Sequence, residues 1–359
     1  MSSRGLFDTR YKPLSARAFL HSYIRDKLLS VSPNEHIEVE LRLGRFTAKP
    51  DIDPLAIELS NQNPLILQSS FSNDMPYLKS ITRGFSSHQF SFDPNISSTK
   101  FFMLERLCSA YLSPTLNGNP STAQQLNTST AQQLNTSTAQ PQITLDILIK
   151  GSSSNRVTWD LRTNQLFENS KRGKENIDIL HQGEVYRLST ARETTQALNA
   201  SALESMLSSG SLDRVRLKTR RLYRLEFSEI ALTKVATCRN GRIKSDLLAL
   251  LRGTSSLPFA SRLSELKELL SGQQVEDTHE AEIELADVGF LTMKANENLW
   301  EFTLFMDRFF RYAEVMIKVD DAVLGEKEGE RAERVGLPKL RPVVGTHLQH
   351  VAKELEKIK

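Results

Sequence analysis

Apolar and polar positions follow two rhythms along this chain, helical in some stretches and strictly alternating in most others. Residues 15–29 (SARAFLHSYIRDKLL) place apolar side chains at 16, 19, 20, 23, 24 and 28 behind Ser15, which predicts an amphipathic helix with a serine N-cap. Residues 36–43 (HIEVELRL) alternate and predict a strand. From 50 to 115 the pattern is mixed and rich in Ser, Pro and Asn, with a helix predicted over 98–112. Between 143 and 230 the stretches ITLDILIK, NRVTWDLR, ENIDILH, VYRLSTARE, DRVRLKTR and RLEFSEI alternate one after another, which predicts an antiparallel meander or barrel. Helical patterns at 244–252 and 261–271 fill an insertion over about 231–275. A strand at 278–285 (THEAEIEL) and a long helix over about 296–319 follow. A basic C-terminal extension, about 320–359, ends in a last helical pattern.

One stretch has neither rhythm. STAQQLNT occupies 121–128 and repeats at 129–136, and STAQ begins again at 137. Polar and uncharged, it cannot bury a core, so a low-complexity disordered insertion is predicted at 117–142. The strands on its two sides belong together, so it interrupts one domain that spans 1–359.

Composition narrows the class. The chain has 359 residues, long enough for a large core, and 39% of them are hydrophobic. A net charge of +3 gives no global field to argue for a polyanionic partner. Two cysteines, Cys108 and Cys238, point to a reducing compartment and not to a disulfide scaffold. No apolar run has the length of a signal peptide core or a membrane span, so no membrane partner is expected. His21, His36 and His279 lack ligand spacing.

The polar halves of the strands carry the functional signal. Glu38, Glu40 and Arg42 share one face of the first strand, and Glu280, Glu282 and Glu284 share one face of the last. Arg214, Arg216, Lys218 and Arg220 line up in the same way, as do Arg156, Thr158, Asp160 and Arg162. Any one such strand is ordinarily a wet face over an apolar one. Rows of one sign are different, because directly opposed like charges destabilise a sheet. If the sheet closes with these faces inward, acidic strands confront basic ones across a narrow lumen. Carboxylates suit a hard divalent cation such as Mg²⁺ or Mn²⁺, and an Arg/Lys row suits phosphate oxygens. Together they predict a lumen for a metal-bound polyphosphate.

IEVELRLG (37–44) and THEAEIEL (278–285) resemble the two signature glutamate strands of the fungal RNA 5′-triphosphatases, the β subunits of the mRNA capping enzyme in the triphosphate tunnel metalloenzyme superfamily. RVTWDLRTNQLFE resembles the family strand RIS-x-D-x-x-TG, with Asn164 in the glycine position, and SKRGKENIDILH resembles its next, basic strand. YRLSTARE resembles R-I-S-x-x-x-E, and RLKTRRLY resembles R-x-K-x-R-x-S-Y. The resemblance implies an α+β protein built on a closed antiparallel eight-stranded β-barrel with helices packed outside it. It implies Glu38, Glu40 and Glu284 as metal ligands, with Glu282 and Glu280 completing the acidic wall. Glu193 would orient or deprotonate the attacking water, and Arg156, Arg172, Arg216, Lys218 and Arg220 would bind phosphate with support from Arg187. The next family strand, R-I-D-[LI]-T, is matched best by RLEFS (224–228), making Arg224 and Glu226 tunnel residues. EIALTKV (229–235) is the alternative, with Glu229 and Ala231 where the family has Arg and Asp.

The implied reaction removes the γ-phosphate from 5′-triphosphate RNA, the first step of capping in the nucleus, with Mg²⁺ or Mn²⁺ as cofactor. The implied partner is the mRNA guanylyltransferase, and the resemblance allows a homodimer. The family's guanylyltransferase-docking segment is Trp-rich and upstream of the barrel, whereas only Trp159 and Trp300 occur here. E-V-E-L-R at 38–42 also fits the E-x-E-x-K motif of inorganic tripolyphosphatases and thiamine triphosphatases, an alternative on the same fold. A non-catalytic RNA-binding subunit is a third reading. TCRNGRIK does not meet the His-Cys-x₅-Arg motif of cysteine phosphatases, and there is neither a P-loop nor a K-x-D-G nucleotidylation motif.

Overall fold

Alternation decides the architecture, because each strand has one apolar and one charged face and only one of them can be covered by helices. The computed structural model describes residues 16–31, 35–46, 65–69, 92–112, 141–150, 156–181, 184–239, 241–253 and 257–319. The tandem repeat and the C-terminal extension lie outside them. The strands are β1 (His36–Phe46), β2 (Leu65–Ser69), β3 (Phe92–Asp93), β4 (Gln142–Lys150), β5 (Arg156–Asp160), β6 (Gln165–His181), β7 (Glu184–Leu198), β8 (Ser211–Arg224), β9 (Ser228–Cys238) and β10 (Val275–Leu285). The helices are α1 (Ala16–Leu29), α2 (Ser98–Tyr111), α3 (Ala200–Ser209), α4 (Lys244–Gly253), α5 (Phe259–Ser271), α6 (Val288–Glu297) and α7 (Leu299–Ile317).

The pairing runs β10-β9-β8-β4-β5-β6-β7-β1, and β1 pairs back to β10, so eight antiparallel strands close into a barrel. β2 adds to β6, and β3 adds to the end of β1. Closure removes the sheet edges. The apolar faces point outward. On one side Val39, Leu41, Ile177, Leu188 and Ile283 pack under α1, α2, α6 and α7 with Leu20, Ile24, Phe302, Phe309 and Phe310. On the other, Leu145, Ile147, Val157, Trp159 and Val215 pack under α3, α4 and α5 with Leu203, Leu247 and Leu266. Two helical coats on an inverted barrel leave the charged faces inside.

Two boundaries depart from the alternation pattern. The strand after the basic row is Ser228–Cys238, so the helical insertion begins near 241 and not at 231. The long C-terminal helix is two helices, broken at Asn298, whose side chain accepts a hydrogen bond from the Glu301 amide and starts α7 afresh. Trp300, in line with the core residues Phe302, Phe309 and Phe310 by sequence, is 70% exposed on the first turn of that helix. Asn164, in the family's glycine position, has φ +58° and accepts a hydrogen bond from the buried Trp159 indole at 3.0 Å. Asparagine tolerates this left-handed turn, so the hairpin forms without glycine.

Gly44 on the inner face of β1 lies under β3. A Cβ there would sit 2.4 Å from the Asp93 carbonyl oxygen and 2.5 Å from the Phe92 ring. Gly44→Ala should therefore cost about 1–3 kcal/mol of stability in denaturant titration, and a variant as stable as the parent would mean that β3 does not hold this position.

Candidate functional site

The centre of the site follows from register. Residues directly paired in an antiparallel ladder project to the same face. Glu40 pairs with Glu284 and Arg42 with Glu282, so the two glutamate strands are neighbours and their carboxylates meet inside the barrel. Glu38, Glu40, Glu280 and Glu282 are all buried.

Buried carboxylates need cations, and the basic row supplies them. Arg42 bridges the two acidic strands, 2.9 Å from Glu40 and 3.0 Å from Glu282. From β8, Arg220 reaches Glu282 at 2.7 Å and Arg216 reaches Glu280 at 2.6 Å. The intervening strand β9 presents Ala231 and Thr233 on this face, paired with Glu282 and Glu280, and these short side chains leave the arginines room to cross. Lys171 pairs with Glu38. On the far wall Lys218 contacts Asp146 at 2.6 Å, Asp146 accepts from Thr158 at 2.8 Å, and Arg156 contacts Glu193 at 3.0 Å.

The field sorts neighbouring carboxylates. Burial pushes Glu284 up to about 8; Arg220 opposes this, and Glu38, Glu40 and Glu282 add to it. Glu40 is raised for the same reason, burial first, with Glu282 and Glu38 repelling and Arg42 opposing. Glu282 faces the same burial, but Arg42 and Arg220 outweigh it and hold the carboxyl at about 2. Burial lowers Lys218, aided by Arg216 and Arg220 and opposed by Asp146.

Of the residues singled out in the sequence, Glu38, Glu40, Arg156, Arg187, Glu193, Arg216, Lys218, Arg220, Glu280, Glu282 and Glu284 share the inner face. Arg187 binds Asp178 through two contacts, 2.6 and 2.9 Å, with its guanidinium 4.4 Å from the centre of the Phe92 ring. Arg172 and Glu226 are placed otherwise, and Arg224 lies at the barrel's end. Arg172 pairs with Arg192 on the outer face, because a bulge between Arg172 and Glu175 shifts the parity of β6. Arg224, paired with Glu229, keeps the inward parity of the basic row at the exposed end of β8, whereas Glu226 is outside the barrel, paired with Arg308 of α7. Residues 225–227 form the turn between β8 and β9 and not a strand of their own: Leu225 and Phe227 are buried in the helical core, and the Leu225 amide donates to the Ser228 carbonyl at 2.8 Å. EIALTKV is the tunnel strand, and its inner face carries Glu229, Ala231 and Thr233.

Asp146 and Lys171 were missed. In ITLDILIK the inward series Thr144, Asp146, Leu148 holds one acid and one apolar residue, so its parity gives little warning, and the bulge that moves Arg172 outward also hides Lys171.

Glu38, Glu40 and Glu284 offer carboxylate oxygens, crowded enough that burial and mutual repulsion favour taking up a cation. Their chemistry fits a hard divalent metal. Among the described residues, however, no three His, Cys, Asp or Glu side chains already converge into a cage, and Lys171 and Arg42 hold Glu38 and Glu40. Among the same residues no helix is long and apolar enough to cross a membrane.

No family model matches the chain, and no curated protein matches its sequence. The fold does have solved counterparts. The S. pombe Pct1 RNA triphosphatase superposes with a TM-score of 0.51 at 12% identity, covering 88% of this chain and 98% of that one. Pct1 in complex with the Spt5 CTD gives 0.49 at 14% identity, covering 85% and 95%. The chain therefore has the triphosphate-tunnel fold that its strand motifs resemble.

A pH test separates the two kinds of glutamate. Glu284 in the fold lies near 8, above its ordinary value of 4.5. The stability it contributes is present below about 4.5 and is lost as pH rises towards 8. Glu282, held near 2, works in the opposite window: its contribution is present above about 4.5 and is lost as pH falls towards 2. In metal-free buffer, Glu284→Gln should lessen the fall in melting temperature between pH 5 and pH 8. An unchanged slope would refute the crowding of Glu284.

Proposed function

We propose that this protein is a metal-dependent RNA 5′-triphosphatase, hydrolysing the γ-phosphate of triphosphate-ended RNA to leave a diphosphate end. The observation that carries this reading is the buried register pairing of two glutamate strands inside a closed barrel, crossed by a row of arginine and lysine. The fold shared with Pct1, an RNA triphosphatase, supports it.

In this reading each tunnel cation exchanges an internal carboxylate for a phosphate oxygen. Arg216 and Arg220 leave Glu280 and Glu282 to grip the triphosphate with two N–H groups each, and Lys218 leaves Asp146 to add a point charge. Glu38, Glu40 and Glu284 would hold Mg²⁺ or Mn²⁺, which when bound neutralises negative charge on the phosphate oxygens. Glu193, steadied by Arg156, accepts a hydrogen bond from the attacking water and takes its proton. The water oxygen bonds to the γ-phosphorus as the bond to the β–γ bridging oxygen breaks, giving orthophosphate and a diphosphate end. Most of the barrier reduction comes from positioning and charge neutralisation. The product is the acceptor a guanylyltransferase needs, so the reading implies that partner and a nuclear location.

Phosphate release should be measured from triphosphate-ended RNA, ATP and inorganic tripolyphosphate, with Mg²⁺, with Mn²⁺ and with chelator. RNA should be the preferred substrate and chelator should abolish release. Glu40→Ala or Glu282→Ala should lower kcat by about 10²-fold or more. Near-normal metal-dependent release by Glu40→Ala would sink the assignment, and a preference for tripolyphosphate would move the substrate to the inorganic class.

A further inference from the structure

Strand β6 changes parity in mid-course. Before the bulge Lys171 faces inward, paired with Glu193, while Arg172 faces outward, paired with Arg192. After it Glu175 faces outward, paired with Thr190, and Asn176 and Asp178 face inward, paired with Ser189 and Arg187. Gly173 and Lys174 together oppose the single residue Ala191, whose partner on the next strand is Glu38. Gly173 has φ +58°, the left-handed conformation such a bulge uses. Uninterrupted alternation from Lys171 would instead bring Glu175, Ile177 and Ile179 into the lumen.

The bulge is secured from outside. The Tyr23 hydroxyl of α1 donates to Glu175 at 2.9 Å and shares a 2.7 Å hydrogen bond with Thr190, so one side chain ties both strands together across the irregularity. Lys27, one turn further along α1, pairs with the same Glu175 carboxylate. Charge is thereby sorted, with Glu175 held outside and Lys174 turned inside.

Lys174 differs from its neighbours. Arg42, Arg156, Lys171, Arg187, Arg216, Lys218 and Arg220 each have a carboxylate within 4 Å. Among the described residues Lys174 forms no ion pair, and it is open to solvent. Partial desolvation by the surrounding wall and then Arg42 disfavour its charge, Glu40 favours it, and Lys171 and Arg187 add to the repulsion, which locates it among the tunnel groups. A cation with cationic neighbours and no acid of its own is satisfied by an incoming anion.

We propose that Lys174 is a further phosphate-binding cation of the tunnel, presented by the β6 bulge, and that Tyr23, Lys27 and Glu175 are positioning residues that hold the bulge in this sense. The proposal rests on the triphosphatase reading above.

Calorimetric titration with inorganic tripolyphosphate and steady-state hydrolysis of triphosphate-ended RNA test it together. Lys174→Gln should raise the tripolyphosphate Kd and the KM roughly tenfold, with kcat within about twofold and a shallower salt dependence. Lys174→Arg should restore both. Tyr23→Phe and Glu175→Gln should reproduce the rise in KM, and Lys174→Gln added to either should raise it no further. Arg172→Gln, two residues away on the outer face, should change nothing. Wild-type Kd and KM in Lys174→Gln, with the parent binding tripolyphosphate normally, would overturn the Lys174 assignment alone. A fall in melting temperature without any change in KM for both Tyr23→Phe and Glu175→Gln would overturn the latch. A parent that neither binds tripolyphosphate nor releases phosphate would overturn the triphosphatase reading and this proposal with it.

Discussion

Everything in this molecule turns on one costly juxtaposition: Glu40 beside Glu284 and Arg42 beside Glu282, on adjacent strands inside a closed barrel. Two carboxylates paired in register repel each other, and burial removes the water that would screen them. Arg42 relieves the pressure by spanning both strands, but it serves Glu40 and Glu282 and leaves Glu284 to its acidic neighbours. Glu282 and Glu284 are two residues apart on one face, yet they sit near 2 and near 8. The difference lies in what the ladder puts opposite each. A barrel that ionises one acid fully and holds its neighbour back retains a local demand for positive charge.

The barrel can carry this arrangement because its stability comes from outside. Val39, Leu41 and Ile283, which alternate with the glutamates, are buried beneath α1, α6 and α7, and Leu145, Ile147 and Trp159 anchor the opposite coat. Burying such side chains gives roughly 1.5–3 kcal/mol apiece, enough for a few strands to tolerate unfavourable charges within. The same alternation that makes the apolar coat continuous makes the acidic rows continuous.

That alternation made much of the structure legible in the sequence. Parity alone grouped Glu38 with Glu40 and Arg216 with Lys218 and Arg220, and the order of strand motifs indicated a closed barrel. Parity failed where something non-local intervened. At Arg172 a left-handed glycine shifts the phase, and the residues that fix the shift, Tyr23 and Lys27, are about 150 positions away. At Glu226 the alternation runs on across a turn, because Leu225 and Phe227 are apolar for the sake of the helical coat and not of a strand. At Asp146 the inward series was diluted by Leu148. The break at Asn298 was hidden by apolar positions that suit one helix or two. In each case the local pattern was real, but a partner distant in sequence determined its meaning.

The wall formed by β9 looks like a loss when read as sequence, since Glu229, Ala231 and Thr233 stand where the resembled family carries Arg, Asp and Thr. In the folded barrel it has a geometric role. β9 lies between the basic row of β8 and the acidic row of β10, and the Arg216–Glu280 and Arg220–Glu282 pairs both cross it. An aspartate at position 231 would add another acid directly opposite Glu282. The positive charge missing from this wall is present on others, as Arg42 on β1 and Lys171 and Lys174 on β6. The tunnel thus keeps its balance of charge by moving cations around the barrel, and the small side chains of β9 are what let the two charged rows meet.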